Sequence, residues 1–234
     1  MARALGEPDR PLPKADHLWT WTLPDGASTP WYRIYHRDQF TGDGISFRQF
    51  GPLARFDHHT PPFGAPAIDP DGRAVLYLAA DIPTAACEVF GEAGAAPLCS
   101  NWRVAQVIPL REIVVYDLEQ PGAAMGIGAL PALATGSEDR ALTQQWARAI
   151  FEDQPASTKV EGIRYRTAYN NDVALALWDC SAALAVSVDP TGALRDLPLL
   201  DPRVRRQLAQ DLVPRRIPVT QIADDNCAAC RRAT

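Results

Sequence analysis

Short apolar segments of strand length recur along this chain, and few of them are separated by a helix. Residues 31–35 (WYRIY), 75–79 (VLYLA), 102–109 (WRVAQVIP), 113–118 (IVVYDL), 162–169, 175–178 and 184–188 are rich in β-branched and aromatic residues or alternate apolar with polar. That is the pattern of half-buried or fully buried strands. Residues 18–23 (LWTWTL) alternate like one more strand or a docking arm. Helix-like stretches interrupt irregularly, after residue 81, after residue 137 and over 204–212. A doubly wound sheet needs a regular strand–helix–strand rhythm, so its absence predicts an α+β fold. An apolar share of 47% in 234 residues supplies a core.

The chain is taken as an N-terminal arm over 1–28, a folded domain over 29–195, and a helical extension and tail over 196–234, although composition marks no clear domain boundary. The arm is Pro-rich and polar, and its first dozen residues are expected to be poorly ordered. Gly- and Pro-rich stretches over 42–51, 57–73 and 121–136 read as loops, the last of them flexible. No internal repeat is visible.

The net charge of −5 argues against a nucleic-acid binder, which needs a basic face to displace counterions. Lys14 and Lys159 are the only lysines, so nearly all positive charge is arginine, whose planar fork suits phosphate and carboxylate. No apolar run approaches the roughly 20 residues of a bilayer span. The opening MARALGEPDRPLPKADH lacks the apolar core of a secretion signal. The expectation is a cytoplasmic protein without membrane contact.

Of the five cysteines, Cys87, Cys99 and Cys180 lie in apolar segments and read as buried thiols. Cys227 and Cys230 form a C-x-x-C, but a structural zinc site needs two further ligands and none is adjacent. No metal is expected, and the tail reads as loose and reduced. Asp57-His58-His59 resembles half a metal site, but neighbouring side chains on a strand point to opposite faces, so surface or hydrogen-bonded histidines are expected. The run 113–118 followed by Gly122, Gly126 and Gly128 lacks the register of a dinucleotide cradle, and Pro131 interrupts it. No G-x-S-x-G, P-loop or H-E-x-x-H occurs, which removes the hydrolases, nucleotide triphosphatases and zincins that carry those motifs.

Residues 75–92 (VLYLAADIPTAACEVFGE) place a helix directly after a strand. Asp81 is set to cap it, and Pro83 falls in the first turn, where a missing N–H costs nothing. Ala85, Ala86, Val89 and Phe90 form its apolar stripe. Glu88 and Glu92 stand one turn apart off that stripe, where like charges repel. Either both are solvated, or one has a task. Ser137 is placed to cap the next helix, with Leu142, Trp146, Ala149 and Ile150 on one face.

Arg33, Arg55, Tyr77, Glu88 and the polar run Tyr165–Asn171 each have a plain structural explanation alone. Their order changes that. The pattern Y-R-I-Y, G-P-L-A-R-F-D-H-H, V-L-Y-L-A, A-C-E-V-F, G-I-R-Y-R-T-A-Y-N, A-L-W-D resembles the RES-domain family, roughly over residues 32–188.

The resemblance implies an α+β core of antiparallel strands with flanking helices, similar to ADP-ribosyltransferases, around a central NAD cleft. It implies a toxin of a toxin–antitoxin pair that consumes NAD+. Such a toxin splits the nicotinamide–ribose bond with inorganic phosphate or water, so NAD+ is a substrate and no bound cofactor is implied. The alternatives are an ADP-ribosyltransferase acting on a protein and a lapsed RES fold kept as a binding module. The family's two arginines fall on Arg33 and Arg55, its strand tyrosine on Tyr77 and its helix glutamate on Glu88. Thr167 stands where the family usually has serine, which keeps a hydroxyl, and Asn170 is a further donor to the ligand. Glu88, with Arg33 and Arg55, is assigned the chemistry, and Glu92 the solvated position. An Xre-like antitoxin is the implied partner, and a homo-oligomer is compatible with the family. The arginines Arg203, Arg205, Arg206, Arg215 and Arg216 read first as a solvated helix face, with contact to that partner as the alternative.

Overall fold

The computed structural model describes residues 4–22, 29–135 and 139–232. In chain order the strands are β1 (Leu18–Trp21), β2 (Trp31–His36), β3 (Phe50–Gly51), β4 (Ala67–Ile68), β5 (Val75–Ala79), β6 (Ala96–Leu98), β7 (Trp102–Pro109), β8 (Ile113–Asp117), β9 (Gly162–Arg166), β10 (Val173–Trp178), β11 (Leu184–Val186), β12 (Asp196–Pro198) and β13 (Val219–Gln221). The helices are α1 (Ile82–Phe90), α2 (Ala123–Gly126), α3 (Ala132–Thr135), α4 (Arg140–Asp153), α5 (Pro202–Leu212) and α6 (Ala228–Arg232).

A nine-stranded sheet runs β1-β8-β9-β10-β5-β2-β7-β11, with β12 also paired to β7. Most neighbours are antiparallel, while β8 and β9 run parallel, so the fold is α+β with a mixed sheet and flanking helices. Burial alternates along the second half of β7, one side chain per face at each step, whereas β5 is buried at every position but Tyr77. One face of the sheet carries a core built on Tyr116, Trp146, Ile163 and Trp178, beneath α4. A second core gathers around Trp31, Leu76, Val107 and Leu175. A third joins α1 and α5 through Ala86, Phe90, Leu208 and Leu212.

Three local expectations are corrected by packing. Leu5 and Leu12 are buried against α4, the Trp146 indole donates to the Gly6 carbonyl at 2.9 Å, and Arg10 pairs with Glu152 and Asp153. The arm from residue 4 onward is therefore docked, because two leucines in a polar segment suffice to anchor it. Residues 121–135 are two short helices whose Ala123, Ile127 and Leu133 enter the core, so this Gly-rich stretch is packed. Helix α1 begins at the Asp81 cap, which accepts from the Thr84 amide at 2.7 Å. Cys87 replaces Val89 on its buried stripe, and Val89 is exposed.

Asp139 caps α4 by accepting from the Ala141 amide; Ser137 lies outside the described residues. His58 and His59 are both fully buried and hydrogen-bonded, to Asp179 at 3.2 Å and to the Arg48 carbonyl at 3.1 Å. Among the described residues no helix is long and apolar enough to cross a membrane.

Candidate active site

The sheet comes apart at one seam. β2 pairs along its length with β7, from Trp31 opposite Val107 to His36 opposite Trp102, and β5 pairs along its length with β10. β2 and β5 themselves meet only where Tyr32 faces Ala79. A cavity of about 560 Å³ opens between them, within the range of roughly 300–1,000 Å³ usual for ligand pockets. Its walls include Arg33 and Tyr35 from β2, Tyr77 from β5, Glu88 from α1, Tyr165 from β9, and Arg48 from the loop between β2 and β5.

That loop crosses the opening and fixes both arginines. Arg48 exchanges backbone hydrogen bonds with Val75 at 2.9 and 3.0 Å. Arg33 Nη1 donates to the carbonyls of Ser46 at 2.7 Å and Gly44 at 3.3 Å. A Cβ on Gly44 would fall 2.1 Å from the Ala105 side chain, so the loop packs on β7 only because this residue has none.

The Arg33 guanidinium lies over the Tyr35 ring at 5.4 Å. Asp43 and Asp196 act on it through space, and no carboxylate among the described residues pairs with it. Burial lowers its pKa to about 10, so the charge persists at neutral pH but is poorly solvated.

Arg48 is placed differently. Its Nη2 reaches both Asp57 oxygens at 2.8 and 2.7 Å. Asp57 is fully buried and also accepts from the Leu53 and Ala54 amides and from the Tyr77 hydroxyl at 2.8 Å. Desolvation alone would raise this carboxyl; the guanidinium and the two amides outweigh it and hold it below its ordinary range. Tyr77 Oη in turn accepts from the Phe56 amide at 3.1 Å, so Tyr77 braces the loop from inside the cavity.

Glu88 is half-buried on the cavity side of α1, while Glu92 is exposed. Desolvation raises the Glu88 carboxyl, against opposing contributions from the Arg55 guanidinium and the Ala168 amide. Its Oε1 is buried and has no hydrogen-bond partner among the described residues, which leaves an acceptor lone pair available to a ligand.

Arg55 stands beside Glu88 but outside the cavity lining. It donates to the Arg166 and Leu133 carbonyls at 3.1 Å each and stacks over Phe56 and Tyr165. Thr167 and Asn170 also lie off the lining, in the turn between β9 and β10. Thr167 Oγ1 donates to Asn170 Oδ1 at 2.5 Å, and Asn170 Nδ2 donates to Asp172 at 2.8 Å and to Thr84 Oγ1 at 3.0 Å. This fastens the turn to the start of α1 and sets the intervening Ala168 amide toward Glu88.

The structure thus brings Arg33, Tyr77 and Glu88 to one cavity, sets Arg55 beside the carboxylate, and puts Thr167 and Asn170 in its support. Sequence reading passed over Arg48, Tyr35 and the cavity position of Tyr165. Tyr165 stood inside the polar run already singled out; nothing local distinguished Arg48, whose place depends on a bridge to β5 and on a buried aspartate nine residues on.

One protein-family model, described as the RES domain, matches residues 30–212. The match begins just before β2 and continues through α5, beyond the point where the ordered sequence pattern stops. No curated protein and no solved structure matches the chain. The six cavity side chains named above all fall inside the matched span, and the chain belongs to the RES domain family.

Proposed function

We propose that the cavity binds NAD+ and that the chain cleaves its nicotinamide–ribose bond, with inorganic phosphate or water as attacker. The observation that carries this reading is the lining of the seam between β2 and β5: one desolvated carboxylate, two guanidinium groups and four tyrosine rings around a single space. The pyrophosphate of NAD+ is a double anion, and forked arginines bind such groups well. Arg33 lacks a carboxylate and suits this task. The rings of Tyr35, Tyr77 and Tyr165 offer apolar faces to a planar base or nicotinamide.

Glu88 acts on the reacting ribose. As the bond breaks, its electron pair leaves with nicotinamide, whose ring becomes neutral, and positive charge grows on the ribose. A carboxylate fixed beside it stabilises that charge as it develops and holds a ribose hydroxyl through its unpartnered oxygen. The phosphate or water oxygen then bonds to the anomeric carbon; where water attacks, its proton passes to solvent. Arg55 and the Ala168 amide keep Glu88 aimed and ionised. Membership in the RES family supports the same chemistry, and an antitoxin partner that covers the cavity, together with a role as a toxin, forms part of the proposal.

The test is incubation of the purified protein with NAD+, with and without phosphate, following nicotinamide by chromatography and adding labelled NAD+ to cell extract. Phosphate-dependent release identifies phosphorolysis, and phosphate-independent release identifies hydrolysis. Label appearing on protein moves the reading to ADP-ribosyl transfer. Absence of release from the wild type, or equal release by Glu88→Gln, overturns it.

A further inference from the structure

Four ligand-type side chains far apart in sequence meet at the edge of the cavity. His36 ends β2, Cys99 follows β6, Cys227 precedes α6 and Cys230 lies within it. Their ligand atoms all fall within 4.8 Å of one another. His36 Nε2 is 3.2 Å from Cys230 Sγ, 3.5 Å from Cys99 Sγ and 3.9 Å from Cys227 Sγ, and the Cys99 and Cys230 sulfurs are 3.5 Å apart. A tetrahedral zinc ion with Zn–S near 2.3 Å and Zn–N near 2.0–2.1 Å requires edges of about 3.8 Å between sulfurs and about 3.6 Å between sulfur and nitrogen. The three sulfur–nitrogen separations bracket the second value, and the Cys99–Cys230 sulfur distance falls slightly short of the first.

The surroundings match thiolate ligands. The Ala229 and Cys230 amides donate to the Cys227 sulfur, and the Asn101 amide donates to that of Cys99. Asn101 Nδ2 reaches Cys230 Sγ at 3.5 Å. Such N–H groups favour the deprotonated sulfur. Asp38 Oδ2 lies 3.8 Å from His36 Nδ1, on the side opposite the sulfurs, where a carboxylate favours the tautomer whose Nε2 lone pair faces a metal.

We propose that His36, Cys99, Cys227 and Cys230 form a structural zinc site. Three thiolates and one imidazole are a borderline-soft, four-coordinate set that suits Zn2+, and with every position filled by protein it is structural in kind. Binding releases three thiol protons to solvent and leaves the centre with one net negative charge.

The site locks the tail onto the domain. β13 pairs in parallel with β6, and Asp224 accepts from the Ser100 amide and hydroxyl at 2.9 and 2.6 Å. α6 has only five residues, too few to hold a helix in isolation. A metal crosslink to β2 and to the turn before β7 fixes it. Ala229, between the two tail ligands, lines the same cavity as Arg33 and Glu88, so the metal secures one of its walls.

This assignment does not depend on NAD+ chemistry, and its test reads metal alone. Full-length protein purified under reductant without chelator is expected to carry about one zinc per chain by elemental analysis. Replacement by Co2+ is expected to give thiolate-to-metal charge-transfer bands and the visible bands of a tetrahedral site. Cys227→Ser and Cys230→Ser each lose the metal, whereas Cys180→Ser, outside the cluster, keeps it. Wild-type protein with far less than one zinc and no cobalt charge transfer overturns the proposal. So does a Cys227–Cys230 disulfide in the native protein, or equal metal content in wild type and Cys230→Ser.

Discussion

Arg33 and Arg48 reach the same cavity from opposite electrostatic situations. Arg48 clasps the buried Asp57 with two short contacts and braces the loop that carries it. Arg33 is more deeply desolvated, bonds only to backbone carbonyls and has no carboxylate partner among the described residues. A buried pair is costly to break because the survivor is left charged and unsolvated. A buried cation held by carbonyls alone is an electrostatic debt that an incoming anion relieves. The first arrangement maintains the structure, and the second awaits a ligand.

Breaking the Arg48 side has the largest expected effect. Arg48→Met leaves Asp57 desolvated and unpaired and is expected to cost about 3–5 kcal/mol in urea unfolding. Asp57→Asn combined with it is expected to cost less than the sum of the two single changes. The pH dependence follows from the depressed Asp57 carboxyl. Its stabilisation is present above the ordinary carboxylate value and lost as pH falls through the lower folded value. In Arg48→Met, desolvation then dominates, and acid unfolding is expected to begin at higher pH than in the wild type.

Glu88 is expected to come next, in activity. Glu88→Gln should lower kcat/KM for NAD+ cleavage by about 10²–10³-fold. The carboxyl is raised by desolvation and acts in its ionised form, so wild-type activity should fall with pH through an apparent value above roughly 4.3, the ordinary glutamate value. Because a raised folded pKa favours the protonated native state, the charge subtracts from stability at neutral pH. Glu88→Gln is expected to melt no lower than wild type, which separates its effect from that of Arg48→Met.

Arg33→Met sharpens the contrast most directly. It is expected to weaken NAD+ binding by about 10–100-fold, as for loss of a charge-assisted hydrogen bond worth ~1.5–3 kcal/mol. Unfolding stability should change by less than about 1 kcal/mol, since relief of a desolvated charge offsets two lost carbonyl contacts. A melting loss as large as that of Arg48→Met would abolish the distinction. The smallest effect is expected from Tyr77→Phe. It removes one donor from Asp57 and one acceptor from the Phe56 amide, at about 1–2 kcal/mol of stability, while the ring facing the cavity remains.

Much of this architecture is written in short-range pattern. Strand β7 follows the apolar alternation of 102–109, and α1 follows from Asp81 and Pro83, because capping and periodicity act over a few residues. The order of the motifs brought Arg33, Tyr77 and Glu88 into one hypothesis, and the cavity holds all three. The docked arm escaped notice because its anchors, Leu5 and Leu12, are two leucines among prolines and charges. The motif order marked Arg55 and not Arg48, although each is an arginine in an irregular loop and it is Arg48 that lines the cavity.

The sequence by itself determined the longer strands, helices α1, α4 and α5, the α+β class and the family pattern, all of which depend on residue type at fixed spacing. The tertiary structure alone decided which arginine has a carboxylate partner, that the seam between β2 and β5 opens, and that His36 and Cys99 stand opposite Cys227 and Cys230. Charge pairing, desolvation and ligand geometry depend on distance in space, and those distances join residues 9 to 194 positions apart in the chain.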